Sequence, residues 1–101
     1  MSAIILQREI LQGKEYQNAA RLKVFVTLLC LASEQERIVD GVKVERGGLV
    51  TSLSKLATQT HLTIKQVRSA LTALCKAGKI TRVSTPLNST ITISNYDSYI
   101  M

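Results

Sequence analysis

Two helix signals separated by a short break constrain the fold of this sequence more than any other feature. Residues 52–60 begin at a serine suited to an N-cap and carry leucines at helical spacing. Residues 63–77 follow; Thr63 and Gln66 are spaced for a capping box, and Gly78 stands where a C-terminal glycine cap belongs. Amphipathic helices joined by so few residues cross at an angle, so the sequence predicts a helix-turn-helix.

The segments on either side of this pair predict one more helix and several short strands. Residues 18–34 predict a first helix that is apolar nearly all round, so we expect the N-terminal arm or a second copy of the chain to cover its second face. Residues 38–43, with Asp-Gly at the centre, favour a tight hairpin, and residues 49–51 a short strand. Alternating apolar residues predict two further strands, at 79–84 and 90–95.

This order of elements defines the expected fold class. We expect an α+β chain with a winged helix-turn-helix, built from three main helices and a small antiparallel β-sheet whose last hairpin is the wing. We interpret residues 1–101 as a single winged-helix domain in which residues 1–17 form an N-terminal arm or a short helix.

The helix at 63–77 is expected to have two contrasting faces. At about 100° per residue, its core-facing residues would be Ile64, Val67, Leu71, Leu74 and Cys75. The opposite side would carry Lys65, Arg68, Ser69, Thr72 and Lys76. Solvated helices usually mix Glu with Lys, because opposite charges four residues apart stabilise a helix. The absence of acidic residues therefore favours contact with phosphates and base edges over simple solvation.

The charge of the chain is unevenly distributed along its length. The net charge is +6; residues 1–50 carry seven basic and six acidic side chains, and residues 51–101 carry six basic and one acidic. No acidic residue lies between Glu45 and Asp97. A stretch of this length without acids indicates a polyanionic partner, and we expect double-stranded DNA. Strands with few aromatic residues argue against single-stranded RNA.

Helix-turn-helix geometry assigns a role to each candidate side chain. The second helix of the motif lies in the major groove, where arginine suits guanine and glutamine suits adenine. The base-reading candidates are Gln66, Arg68, Ser69 and Thr72, and the phosphate-binding candidates beside them are Lys65 and Lys76. A second phosphate site is expected at the start of helix 52–60, from Thr51, Ser52 and Lys55. Arg82 is the candidate on the wing.

Three segments carry a family resemblance: 46–57 (RGGLVTSLSKLA), 67–74 (VRSALTAL) and 91–99 (ITISNYDSY). Together they resemble the winged helix-turn-helix of phage and prophage replication-organiser proteins of the DnaD-like kind. The resemblance implies DNA binding in the replication of a mobile element or in transcriptional control. The chain departs from the family in having no tryptophan, in Gly48, and in His61 at the turn. We expect His61 to adopt the left-handed conformation, which histidine tolerates better than branched residues.

The sequence gives no sign of catalysis or of a bound cofactor. A single histidine in a turn and the absence of paired carboxylates predict no enzyme, no metal site, no cofactor and no small-molecule substrate. Cys30 and Cys75 are expected to be buried thiols in a reduced compartment, which places the protein in the cytoplasm. The apolar run 24–32 is too short to span a membrane.

The alternative function is a protein-interaction or oligomerisation module with little DNA binding of its own. An apolar N-terminal arm provides the surface, and a homodimer would form through the first helix together with Ile4, Ile5, Ile10 and Leu11. The two functions are compatible, because helix-turn-helix proteins often dimerise to bind two half-sites.

Overall fold

The computed structural model describes residues 3–6, 8–12, 17–39, 41–85 and 88–100. The helices in these ranges are α1 (Ala19–Leu31), α2 (Leu53–Thr60) and α3 (Ile64–Lys76), with short 3-10 helices at Arg8–Gln12 and Tyr96–Tyr99. The strands are β1 (Arg37–Val39), β2 (Val42–Val44), β3 (Gly48–Thr51), β4 (Ile80–Ser84) and β5 (Ser89–Ile93). The predicted helices and strands are confirmed, with ends that differ by up to three residues.

The strands form two separate antiparallel units. β5 lies between β3 and β4 in a three-stranded sheet, and β1 pairs only with β2. The pairing of Val39 with Val42 leaves a two-residue loop, and Gly41 has φ 77°, as the predicted tight turn requires; the other loop residue lies outside the described residues. The fold is α+β, as predicted, and its three helices and small antiparallel sheet are compatible with a winged helix.

The core lies where α1 and α3 cross and pack over the three-stranded sheet. The fully buried side chains at its centre are Val24, Leu28, Leu56, Val67, Leu74 and Ile91. Ile91 and Ile93 both face inward, as their alternation predicts. α2 buries only Leu56 and Thr60, whereas α3 buries four residues, so the helix-turn-helix is held mainly through α3.

The structure corrects the expectation that α1 is buried nearly all round. Its inner face is formed by Val24, Phe25, Leu28 and Leu29. Leu31 is 38% exposed, and Cys30 is exposed as well. Cys75 is half-buried, so the prediction of two buried cysteines is wrong. Cys30 lies about 100° outside the buried stripe of α1, whereas Cys75 lies only about 40° outside that of α3 and packs against the core at its edge.

The inner face of α3 is also rotated from the predicted one. Val67, Leu71 and Leu74 are buried as expected, but Ala70 is the fourth buried residue. Ile64 is 44% exposed, because it lies at the edge of the apolar stripe in the first turn. Ala70 is 4% exposed and lines a cleft with Ala20 and Arg21 of α1, so this small residue lies on the side of α3 that faces α1.

Gly47 lies in a tight turn between β2 and β3, against Tyr96 near the end of the chain. Gly47 has φ 84°, and a β-carbon there would lie 2.6 Å from Cβ of Tyr96. The backbone N–H of Gly47 donates to Ser33 O at 2.7 Å, and its carbonyl accepts from Ile93 N. No other residue type fits this position without displacing Tyr96.

The N-terminal arm packs on its own chain. Ile4 forms an antiparallel bridge with Ile100, and the N–H of Ile5 donates to Tyr99 O at 2.7 Å. Tyr99 in turn meets Phe25 of α1 edge to face, with ring centroids 5.6 Å apart. Of the residues predicted to form a dimer contact, these two isoleucines lie against the C-terminal segment, whereas Leu11 is 59% exposed. The side chain of Ile10, also predicted to take part, lies outside the described residues.

Candidate nucleic-acid interface

The outward side of α3 is a continuous exposed polar surface, which we call the α3 face. Its members are Lys65, Gln66, Arg68, Ser69, Thr72 and Lys76, and all six are exposed. They come from successive turns of one 13-residue helix, so they follow its length rather than forming a pocket. A convex row of this kind fits a groove better than a small molecule.

All the charged side chains of the α3 face are positive. Within the described part of the chain, the ion pairs are Lys43 with Glu36 and Arg46 with Asp97, so no cation of α3 has a carboxylate within 4.0 Å. Asp97, the first acidic residue after Glu45, is held by the Arg46 Nε at 2.7 Å. That hydrogen bond raises the pKa of Arg46 above its ordinary value. The described residues thus leave the positive charge of α3 unneutralised.

Both ends of α3 are closed by hydrogen bonds that fix its position. At the start, Gln66 N donates to the Thr63 hydroxyl at 3.1 Å, and Thr63 N donates to Gln66 Oε1 at 2.9 Å; this is the predicted capping box. At the end, Gly78 has φ 74°, and Lys79 N donates to Leu74 O while Gly78 N donates to Cys75 O. These are the bonds of a Schellman motif, as the predicted glycine cap requires.

The turn between α2 and α3 depends on one residue in the left-handed region. His61 has φ 58° and ψ 32°, as predicted, and the N–H of Leu62 donates to Ala57 O at 3.2 Å. The reversal lets the short α2 pack beside α3, with Leu56 buried and Lys55 exposed. The helix-turn-helix therefore forms without a glycine in its turn.

Two of the base-reading candidates are already committed to local hydrogen bonds. Gln66 Oε1 accepts from the cap, which leaves only its amide NH₂ to donate outward. The paired hydrogen bonds expected between Gln66 and adenine would require Oε1 to accept a second hydrogen bond in addition to the capping bond. The Thr72 hydroxyl donates to Arg68 O at 3.0 Å, so it can only accept from a ligand in this conformation. Arg68 and Ser69 carry no such commitment among the described residues.

The second predicted phosphate site is only partly assembled. Ser52 caps α2, its hydroxyl accepting from Lys55 N at 3.2 Å, and Lys55 is exposed. Thr51 is 4% exposed and pairs with Ser89 inside the sheet. The prediction that Thr51 contacts phosphate is therefore corrected, because its alternating position in β3 turns the side chain inward.

Arg82 lies on the wing hairpin beside the start of α2. Its Nε donates to the Ser89 hydroxyl at 3.2 Å, which holds the side chain half-buried. A cleft of about 180 Å³ separates the two elements and is lined by Arg82 and by hydroxyls including those of Ser52 and Ser54. The structure thus brings Arg82 and Ser52 to one cleft, which the sequence placed in separate sites.

Arg21 is the cation near the α3 face that sequence reasoning missed. It lies in the first turn of α1 and lines a cleft with Lys65 and Ser69. The available signal was its position on the wheel, since Arg21 falls on the same side of the helix as Val24 and Leu28. A charged residue on an apolar face has to reach solvent or a partner at the edge of the core.

Metal-binding and membrane-spanning features are absent from the described residues. Among them, no group of three or more His, Cys, Asp or Glu side chains is close enough to hold a metal ion. No helix in this part of the chain is long and apolar enough to cross a bilayer.

Comparison of the chain with known proteins gave no match. No protein-family model matches the chain, and no curated protein or solved structure is similar enough to give a match.

Proposed function

We propose that this chain binds double-stranded DNA through the α3 face, and that it acts in the cytoplasm without catalytic activity of its own. The observation that carries the proposal is the exposure of Lys65, Arg68 and Lys76 on a capped helix with no acidic neighbour in the described residues. α3 would enter the major groove, with Arg68 and Ser69 at base edges and the two lysines at phosphates. The cleft containing Ser52 and Arg82 would lie along the flanking backbone.

The biological setting follows from the resemblance of the helix-turn-helix segments to phage replication-organiser proteins. We propose a role in replication initiation or in transcriptional regulation of a phage or another mobile element. Selection of bound sequences from a random duplex pool tests for a preferred site. A preferred site with two inverted half-sites would support a dimeric regulator, whereas an unselective pool would restrict the protein to backbone binding.

Salt dependence of DNA binding tests the electrostatic part of the proposal. If about four to six phosphates are neutralised per chain, the slope of log affinity against log salt concentration should be roughly −4 to −5 in fluorescence anisotropy. Replacing Lys65, Arg68 and Lys76 together by alanine should make the slope less steep by roughly 2–3. A control with Lys23, Arg37 and Lys43 replaced by alanine loses the same charge from exposed positions outside α3. Equal effects of the two triple variants would reject the α3 face as the binding surface.

Arg68 is the side chain on which sequence reading would depend most. Arg68→Ala should cost about 1–3 kcal/mol on a selected site, and far less on random duplex, because a bidentate contact to guanine is lost. Competition anisotropy with the selected and scrambled duplexes gives both values. Equal losses on the two duplexes would assign Arg68 to the phosphates instead.

A second candidate function is self-association, with or without DNA. It is favoured by apolar side chains left exposed in the described residues: Leu11 at 59%, Leu31 at 38% and Ile38 at 74%. Light scattering across a concentration series separates monomer from dimer. If the chain is strictly monomeric and still binds DNA, self-association is rejected and the chain binds DNA as a monomer.

A further inference from the structure

A cleft of about 370 Å³ lies between the first turn of α1 and the first half of α3. It is lined by Asn18, Ala20, Arg21, Lys65, Gln66, Ser69 and Ala70. Two of these side chains are cationic and none is acidic. The cleft opens beside the α3 face, so any ligand in it would touch both helices.

The guanidinium of Arg21 has unused hydrogen-bonding capacity. Its Nε is buried without a hydrogen-bond partner, and within the described part of the chain the side chain forms no ion pair. Arg46 shows the opposite state: its Nε donates to Asp97, its Nη1 donates to Glu34 O at 2.6 Å, and the group lies 5.4 Å from the centre of the Tyr96 ring. A buried donor without an acceptor destabilises the protein, and because Nε has almost no access to solvent, an anionic ligand in the cleft would bind the Nη groups of Arg21, for which the described residues provide no acceptor.

The amide side chains at the cleft have their oxygens engaged by backbone groups. Asn18 Oδ1 accepts from Arg21 N at 3.0 Å, and Gln66 Oε1 accepts from Thr63 N at 2.9 Å. Each amide therefore keeps both N–H donors of its NH₂ group and one remaining acceptor site on its oxygen. With the Ser69 hydroxyl and two cations, the cleft offers mainly donors. A ligand with several acceptor oxygens and negative charge satisfies such a set.

We propose that this cleft binds a phosphate group, with Arg21 and Lys65 as its charged partners. The phosphate group is a backbone phosphate of the duplex strand that runs beside α3; this identification rests on the proposed function. Arg21 is then a DNA-binding residue outside the helix-turn-helix. Because Arg21 lies in α1, its contact with a phosphate would fix the orientation of α3 in the major groove.

The first test compares two single substitutions on α1. Arg21→Met removes the guanidinium but keeps an apolar stem for packing. Lys23→Met removes the same charge two residues along, from the exposed opposite side of the helix. Anisotropy with random duplex should show roughly tenfold weaker binding for Arg21→Met, the effect of one charge-assisted hydrogen bond, and a salt slope less steep by about 0.9. Lys23→Met should leave the slope unchanged. Wild-type affinity and slope in Arg21→Met would overturn the assignment to DNA.

The second test uses inorganic phosphate as the probe, at constant ionic strength. Nuclear magnetic resonance should show saturable shifts of the Arg21 Nε–H and the Ser69 amide in the wild-type chain. The same titration should leave the Ser69 amide unmoved in Arg21→Met, which lacks the guanidinium. If the wild-type chain fails to bind any duplex, the proposed function is rejected while saturable shifts still support a site for free phosphate. Absent or non-saturating shifts overturn the cleft as an anion site.

Discussion

α1 and α3 are helices of equal length, 13 residues each, that pack against one another on the same core, yet they present opposite outer surfaces. The outer side of α3 carries lysine, arginine and small hydroxylated residues. The outer side of α1 keeps Cys30 and Leu31 exposed beside a single lysine at position 23. The contrast separates two kinds of helix: α1 supplies the core with apolar area, whereas α3 also exposes one whole side of polar and positively charged residues.

The largest expected effect comes from comparing a leucine of each helix. Leu71→Ala in α3 removes a side chain that is 1% exposed, so it should lower the free energy of unfolding by roughly 2–5 kcal/mol. Leu31→Ala in α1 truncates a side chain that is 38% exposed, so it should cost about 0.5 kcal/mol or less. Urea denaturation measures both. A large loss for Leu31→Ala at low protein concentration would mean that the outer side of α1 is covered after all.

The two N-caps provide the next comparison. Thr63→Ala removes the hydroxyl that accepts from Gln66 N and leaves only half of the capping box, the bond from the N–H of residue 63 to Gln66 Oε1, with an expected cost of about 1–2 kcal/mol. Asn18→Ala removes the single side-chain cap of α1, at about 1 kcal/mol or less. Thermal denaturation ranks the two variants. A greater loss of stability for Asn18→Ala would show that the N-cap of α1 contributes more to stability than the capping box of α3.

The smallest expected changes in stability come from substitutions at the C-caps of α2 and α1, which are His61 and Ala32. His61→Gly should raise stability by roughly 0.5–1 kcal/mol, because glycine relieves left-handed strain that exceeds its own entropic cost. The matched change Ala32→Gly, at an extended residue with φ −61°, should lower stability by about 0.5–1 kcal/mol. Opposite signs in urea denaturation support this account of the turn. A loss for His61→Gly would indicate that the imidazole makes a contact that outweighs its backbone strain.

Local signals made α3 predictable in most of its features. Its capping box, its glycine cap and its exposed cations are all set by residues close in sequence, and each was found where the spacing placed it. The left-handed turn at His61 was predictable because few residue types tolerate that conformation. Strand alternation likewise fixed which side of β5 faces the core.

Features that depend on packing between distant segments were not predictable. Ala70 is buried and Ile64 is 44% exposed, a difference that depends on which side of α3 packs against the rest of the core. Thr51 is buried because β3 pairs with β5, about forty residues away along the chain. Arg21 was missed because its cleft includes side chains from α3, and no local pattern links the two helices. An apolar helix such as α1 has too little amphipathic contrast to show which side is inward.

Chemical-shift mapping with duplex DNA tests most directly whether α3 is the surface that contacts nucleic acid. The largest amide shifts should fall on Lys65, Arg68, Ser69, Thr72 and Lys76, while Lys23 and Cys30 on the outer side of α1 stay unmoved. Shifts confined to the outer side of α1 or to the β1–β2 hairpin, with α3 unchanged, would contradict the account.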